Sequence, residues 1–126
     1  TAVTAGAPAP AVPEARRAMA TLLRLPEPPT AVMCGNDILA FGAICECIAT
    51  GISVPQELSI AGFDDFELSS HMTPSLTTIR VPAIEMGTCA ADFVVSHLEN
   101  KPMPIHIEFE AELIVRGSTV PPARQD

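Results

Sequence analysis

The stretch Ile38–Thr50, ILAFGAICECIAT, constrains this chain more than any other. Glu46 is its only charge, and Gly51 follows as a natural helix stop. A surface helix carries one apolar stripe. This one is apolar almost all round, so it must be covered on more than one side. A sheet can cover one face, and a second copy of the chain is expected to cover another.

The flanking segments supply that sheet. Thr30–Gly35 (TAVMCG) and Leu58–Phe63 (LSIAGF) read as short buried strands, and Leu76–Val81 (LTTIRV) as a third. Asn36 or Asp37 can cap the apolar helix. Upstream, Ala15, Ala18, Met19, Leu22 and Leu23 recur at helical spacing, with Arg16, Arg17 and Arg24 opposite, until Pro26, Pro28 and Pro29 end the run. A loop is expected through His71 and Pro74. Ala83–Asn100 reads as the longest helix, with Gly87, Ala90, Ala91, Val94 and Leu98 on its apolar face. Residues 105–115 alternate apolar and polar, as a half-exposed strand broken near Glu110 does. Strand and helix in alternation predict an α/β layer: a mostly parallel sheet flanked by helices. Residues 1–13, rich in Ala and Pro, are set apart as an arm or linker, and residues 14–126 as the folded unit.

Composition narrows the function. A chain of 126 residues is one domain's worth. Its net charge of −8, from 15 acidic and 7 basic residues, lacks the footprint that binds phosphate backbones. DNA binding by this chain alone is therefore not expected, and neither is attachment to a membrane. Cys34, Cys45, Cys47 and Cys89 form no C-x-x-C pair. They are expected to be buried reduced thiols, in keeping with a cytoplasmic protein. No nucleophile, base and orienting group assemble at telling spacing, and no metal or cofactor motif is present, so no enzyme is expected.

In open α/β sheets ligands bind beyond the carboxyl ends of the strands. Asn36 follows the first strand and Asp64 the second. One crossover helix joins those strands, so they should be parallel neighbours with Asn36 and Asp64 at one edge. Asn offers donors and acceptors, and an ionised Asp accepts several hydrogen bonds. The pair suits a polyhydroxylated or heterocyclic ligand. Spacing alone leaves a second reading open, in which these residues only cap a helix and make a turn. His71 lies near the same edge, either touching a ligand or facing solvent.

The ordered set of PTA, NDILAFG, VPQELSIAGFDD, TPSLTTIRVP, MG and LIVRGST resembles the carboxyl-terminal lobe of lac-repressor/gal-repressor family regulators, from about Glu14 to Thr119. The resemblance implies one lobe of a two-lobed periplasmic-binding-protein-like (type I) fold that binds an effector in its cleft: a sugar, a sugar phosphate or a nucleobase. It implies that Asn36 and Asp64 touch the ligand. It implies a homodimer whose seam uses Phe41, Ile44, Cys45, Ile48 and Met72, and DNA contact only through a helix-turn-helix that this chain does not contain. Many relatives place a ligand-stacking aromatic residue where Ala9–Val12 stands here, and Trp and Tyr are absent throughout. A lobe of an extracytoplasmic sugar-binding protein and a truncated, non-sensing remnant are the alternatives.

Overall fold

A computed structural model describes residues 12–122, except 103 and 105. The helix around which the rest is arranged is α2 (Asp37–Thr50). Asn36, extended at φ −158°, caps it: its Oδ1 accepts the Leu39 N–H at 2.9 Å. Gly51, at φ 76°, ends it in the left-handed region, where glycine carries no Cβ penalty. Two neighbours cover α2. On one side lie residues of the sheet layer, Cys34, Leu58, Ile60 and Leu76, clustered with Ala40, Phe41, Ala43, Ile44 and Cys47 of the helix. On the other lies α1 (Val12–Leu23), whose Met19 joins the same cluster. The second cover thus comes from within the chain. What α2 leaves exposed is the narrower strip of Cys45, Ile48, Ala49 and Thr50.

The sheet layer starts with β1 (Ala31–Met33) and β2 (Ser59–Ala61), which are parallel, with Val32 opposite Ile60. α2 is the crossover between them, as expected. A parallel bridge from Ala61 to Thr77 sets the next segment beside β2. That segment runs into β3 (Thr78–Arg80), which pairs antiparallel with β4 (Glu112–Ile114). Between these last two strands the chain makes α4 (Ala83–Leu98).

Several expectations need correction. The loop through His71 contains a short helix, α3 (Glu67–His71). Only Glu112–Ile114 of the alternating tract is strand; residues 106–111 are unpaired, and residue 105 lies outside the described set. Alternation supplies a two-faced segment, but a strand also needs a partner, and the β3 ladder ends where Arg80 meets Glu112. α4 buries none of its residues, so the face of Gly87, Ala90, Ala91, Val94 and Leu98 is open. Cys45 is exposed and Cys89 half-buried, whereas Cys34 and Cys47 are buried; all four are free thiols. Finally, Val12 and Pro13 open α1 rather than close an arm; residues 1–11 of that arm lie outside the described set.

α1 and α2 touch most closely at Gly42. A Cβ there would sit 2.5 Å from the Ala15 Cβ and 2.7 Å from the Val12 carbonyl oxygen. Gly42→Ala should therefore push α1 outward and cost about 1–3 kcal/mol, despite alanine's better helix propensity. Urea unfolding checks this: the midpoint should fall. A midpoint at or above that of the parent chain would mean that the helices are not seated this closely.

Candidate ligand site

The turn after β1 and the turn after β2 are stitched together. The Cys34 N–H donates to the Ala61 carbonyl at 2.8 Å, and the Asp37 N–H to the Phe63 carbonyl at 2.8 Å. Asn36 and Asp64 therefore flank a common edge, as the crossover argument required.

Asp37 binds the edge from below. It is 0% exposed, and its carboxylate takes three hydrogen bonds: from Thr78 Oγ1 at 2.6 Å, Ser69 Oγ at 2.5 Å and the Phe66 N–H at 2.9 Å. A buried carboxylate is tolerable only when hydrogen-bonded in this way. Gly62 makes room for it, since a Cβ at that position would lie 2.2 Å from Asp37 Oδ1.

The next two residues adopt a backbone that L side chains avoid. Asp64 has φ 109° and Asp65 φ 52°. Such conformations cost on the order of 1–3 kcal/mol each and persist only where the surroundings impose them. Here the Asp64 N–H donates to the Ile79 carbonyl at 2.9 Å. The Asp65 carboxylate is gripped on both oxygens, by Arg116 Nη2 at 2.6 Å and Arg80 Nε at 2.7 Å. Arg116 is itself tied to the Leu76 carbonyl at 2.8 Å.

The two carboxyl groups are shifted in opposite directions. Burial alone would raise the Asp65 pKa, but the hydrogen bonds and charges of Arg116 and Arg80 outweigh it and hold the carboxyl below its usual value. Burial, and then the nearby Asp37 charge, push Asp64 above its usual value. The Asp64 carboxylate accepts no hydrogen bond from the described residues. It is a half-buried acceptor at the strand edge, open to a partner from outside the described residues. Asn36 adds its amide NH2, which has no partner among the described residues, because Oδ1 alone is used in the cap. The edge thus carries one unpaired donor group and one unpaired acceptor group. His71 closes α3 and is exposed.

A separate groove of about 460 Å³ runs between α1 and β1, lined by Ala15, Met19, Leu22, Val32 and Leu39 among others. Neither Asn36 nor Asp64 lines it. Specific recognition depends on a few placed polar groups, so the turn edge is the stronger candidate. No cluster of three His, Cys, Asp or Glu suited to a metal occurs among the described residues.

Of the residues expected at a dimer seam, Phe41 and Ile44 are enclosed within the chain, Ile44 at 1% exposure. Cys45 and Ile48 face outward, Ile48 at 67%, and Met72 is half-buried against the core. Sequence reasoning missed Asp37 as a buried organiser, and it missed Arg80 and Arg116 altogether. The available signal was a carboxylate at the head of an otherwise apolar helix.

Ionisation of Asp64 is uphill in the fold. For an acid whose folded pKa is raised, stability is fullest at low pH and falls as pH climbs from the ordinary carboxylate range through the folded value. Asp64→Asn removes that loss and keeps the size of the side chain. The gain in melting temperature over the parent chain should be small in acid and grow with pH. Melting temperatures scanned across pH test it; a gain independent of pH would mean that the Asp64 charge is not strained.

The chain matches the periplasmic binding protein-like domain over residues 1–119. It is 40% identical over 104 residues to the HTH-type transcriptional repressor CytR of Escherichia coli (strain K12), across 82% of this chain and 30% of that protein. It is 41% identical over 103 residues to the HTH-type transcriptional repressor PurR of Escherichia coli O139:H28 (strain E24377A / ETEC), across 81% of this chain and 30% of that one. Its fold superposes with a TM-score of 0.78 and 25% identity on a sugar-binding transcriptional regulator of the LacI family from Escherichia coli, complexed with phosphate. That superposition covers 89% of this chain and 40% of the other. The chain spans about a third of the length of the curated relatives it matches.

Proposed function

The chain belongs to the periplasmic binding protein-like domain family and is homologous to the LacI-family repressors CytR and PurR, and on that premise we propose that it is an effector-binding and dimerisation lobe of a cytoplasmic transcriptional regulator, with no catalytic role. The observation that carries this reading is Asp64: an unpartnered, half-buried carboxylate held at φ 109° beyond the carboxyl end of β2. Asp64 accepts hydrogen bonds from the ligand's hydroxyl or N–H groups, and Asn36 adds its amide. The ligand is a sugar, a sugar phosphate or a nucleobase. Binding favours one arrangement of the regulator, and the dimer carries that preference to a helix-turn-helix outside this chain. The net charge of −8 suits this division of labour, with DNA contact made elsewhere.

A thermal-shift screen against monosaccharides, sugar phosphates, nucleosides and purines tests the site. A ligand at a hundred times its dissociation constant stabilises the native state by about 2.7 kcal/mol. One of these classes should raise the melting temperature. Asp64→Ala should then weaken binding by about 1.5–3 kcal/mol, the worth of a hydrogen bond to a charged group. A response that survives this substitution removes Asp64 from the site, and a flat screen leaves assembly as the role of this chain.

The dimer seam runs along Cys45 and Ile48 and includes Met72, with Phe41 and Ile44 as the packed backing behind. Glu at Ile44 would bury a charge in the core and unfold the chain, so Ile48 is the position to change. Ile48→Glu should convert dimers to monomers in sedimentation equilibrium at an unchanged melting profile of secondary structure. A persisting dimer would place the seam elsewhere.

A further inference from the structure

The second acid of the Asp64–Asp65 pair faces inward, bonded to two arginines. Asp65 cannot be a ligand contact, because its side chain is 7% exposed and both oxygens are already engaged. The two guanidiniums come from the two strands of one ribbon. Arg80 ends β3, and Arg116 follows β4 by two residues. Arg80 also reaches Glu112 of β4, with Nη1 3.2 Å from Oε2. The same ribbon carries α4, which no other element buries.

We infer that Asp65 is the positioning residue of the Asp64 site, and that Arg116 and Arg80 act through it to hold the Asp64 carboxylate in its left-handed, outward posture. The geometry leaves little alternative. Asp64 is fixed on its amino side by the Ile79 carbonyl. On its carboxyl side Asp65 is fixed by two charge-assisted hydrogen bonds of 2.6 and 2.7 Å, the strong class of such bonds. The Phe66 N–H, one residue further on, is fixed by Asp37. Between those anchors the backbone cannot relax to the negative φ that an aspartate prefers. The acceptor therefore stays presented before any ligand arrives, which spares the ordering cost on binding. The same arginines make the aim of Asp64 depend on where the β3–β4 ribbon sits.

This inference rests on Asp64 being the ligand contact, but its test needs no ligand, so the two can fail separately. The sign of φ at Asp64 is read in the full chain by NMR, from the intraresidue amide-to-α-hydrogen NOE and the one-bond Cα–Hα coupling. The parent chain should show the positive-φ signature at Asp64. Asp65→Asn and Arg116→Gln should each lose it, with the amide shifts of Ala40, Ile44 and Ile60 unmoved. A signature retained in both variants overturns the inference. If either variant fails to fold, Arg80→Gln decides, because that guanidinium is half exposed and does not hold the core. A weakened signature there supports the positioning role, and an unchanged one ends it.

Discussion

The carboxylate of Asp37 is the interaction on which the rest of this structure depends. It lies at the head of α2, wholly removed from solvent, and takes hydrogen bonds from β3, from α3 and from the backbone between β2 and α3. The head of α2, the start of α3 and β3 are thereby pinned to one atom group. Desolvating a charge is expensive, and breaking a buried charged network by removing one partner costs several kcal/mol. The arrangement is therefore all or none. Ser69, Thr78 and the Phe66 amide must all be in place, and Gly62 must remain without a side chain for the carboxylate to fit.

That rigidity lets the neighbouring residues be strained. Asp64 and Asp65 both stand at positive φ, and the charge on Asp64 is raised in energy by burial and by Asp37. Local strain of this kind gathers at functional sites and must be offset by surrounding contacts. Here the offset is visible. Two arginines lower the pKa of Asp65, while its neighbour has no partner among the described residues. One acid of the pair serves the fold, and the other is left available for chemistry outside it.

Apolar surface is distributed unevenly. α2 is enclosed by the sheet layer and α1, with Cys45, Ile48 and Ala49 its exposed apolar residues beside Thr50. α4 buries none of its residues, and Ile84, Val94 and Leu98 are all more than half exposed. The contrast follows from connectivity. α1 and α2 are packed across the site of the crossover, whereas α4 hangs from a two-stranded ribbon only three residue pairs long.

The amino-acid order specified local events. The spacing of apolar residues marked α1, α2 and α4. Asn36 and Gly51 marked the ends of α2, and one crossover helix between two short apolar runs made β1 and β2 parallel neighbours. From that came the edge where Asn36 and Asp64 sit. These inferences succeed because helical period, capping and crossover handedness are short-range properties. The tertiary structure decided the side-chain partnerships between segments distant in sequence. It enclosed Phe41 and Ile44 inside the chain and left Ile48 outside, a division that the α2 pattern could not assign. It denied strand to residues 106–111, because alternation cannot create a neighbouring strand. It also gave Asp64 and Asp65, identical in type and adjacent in order, opposite roles, because Arg80 and Arg116 reach only one of them.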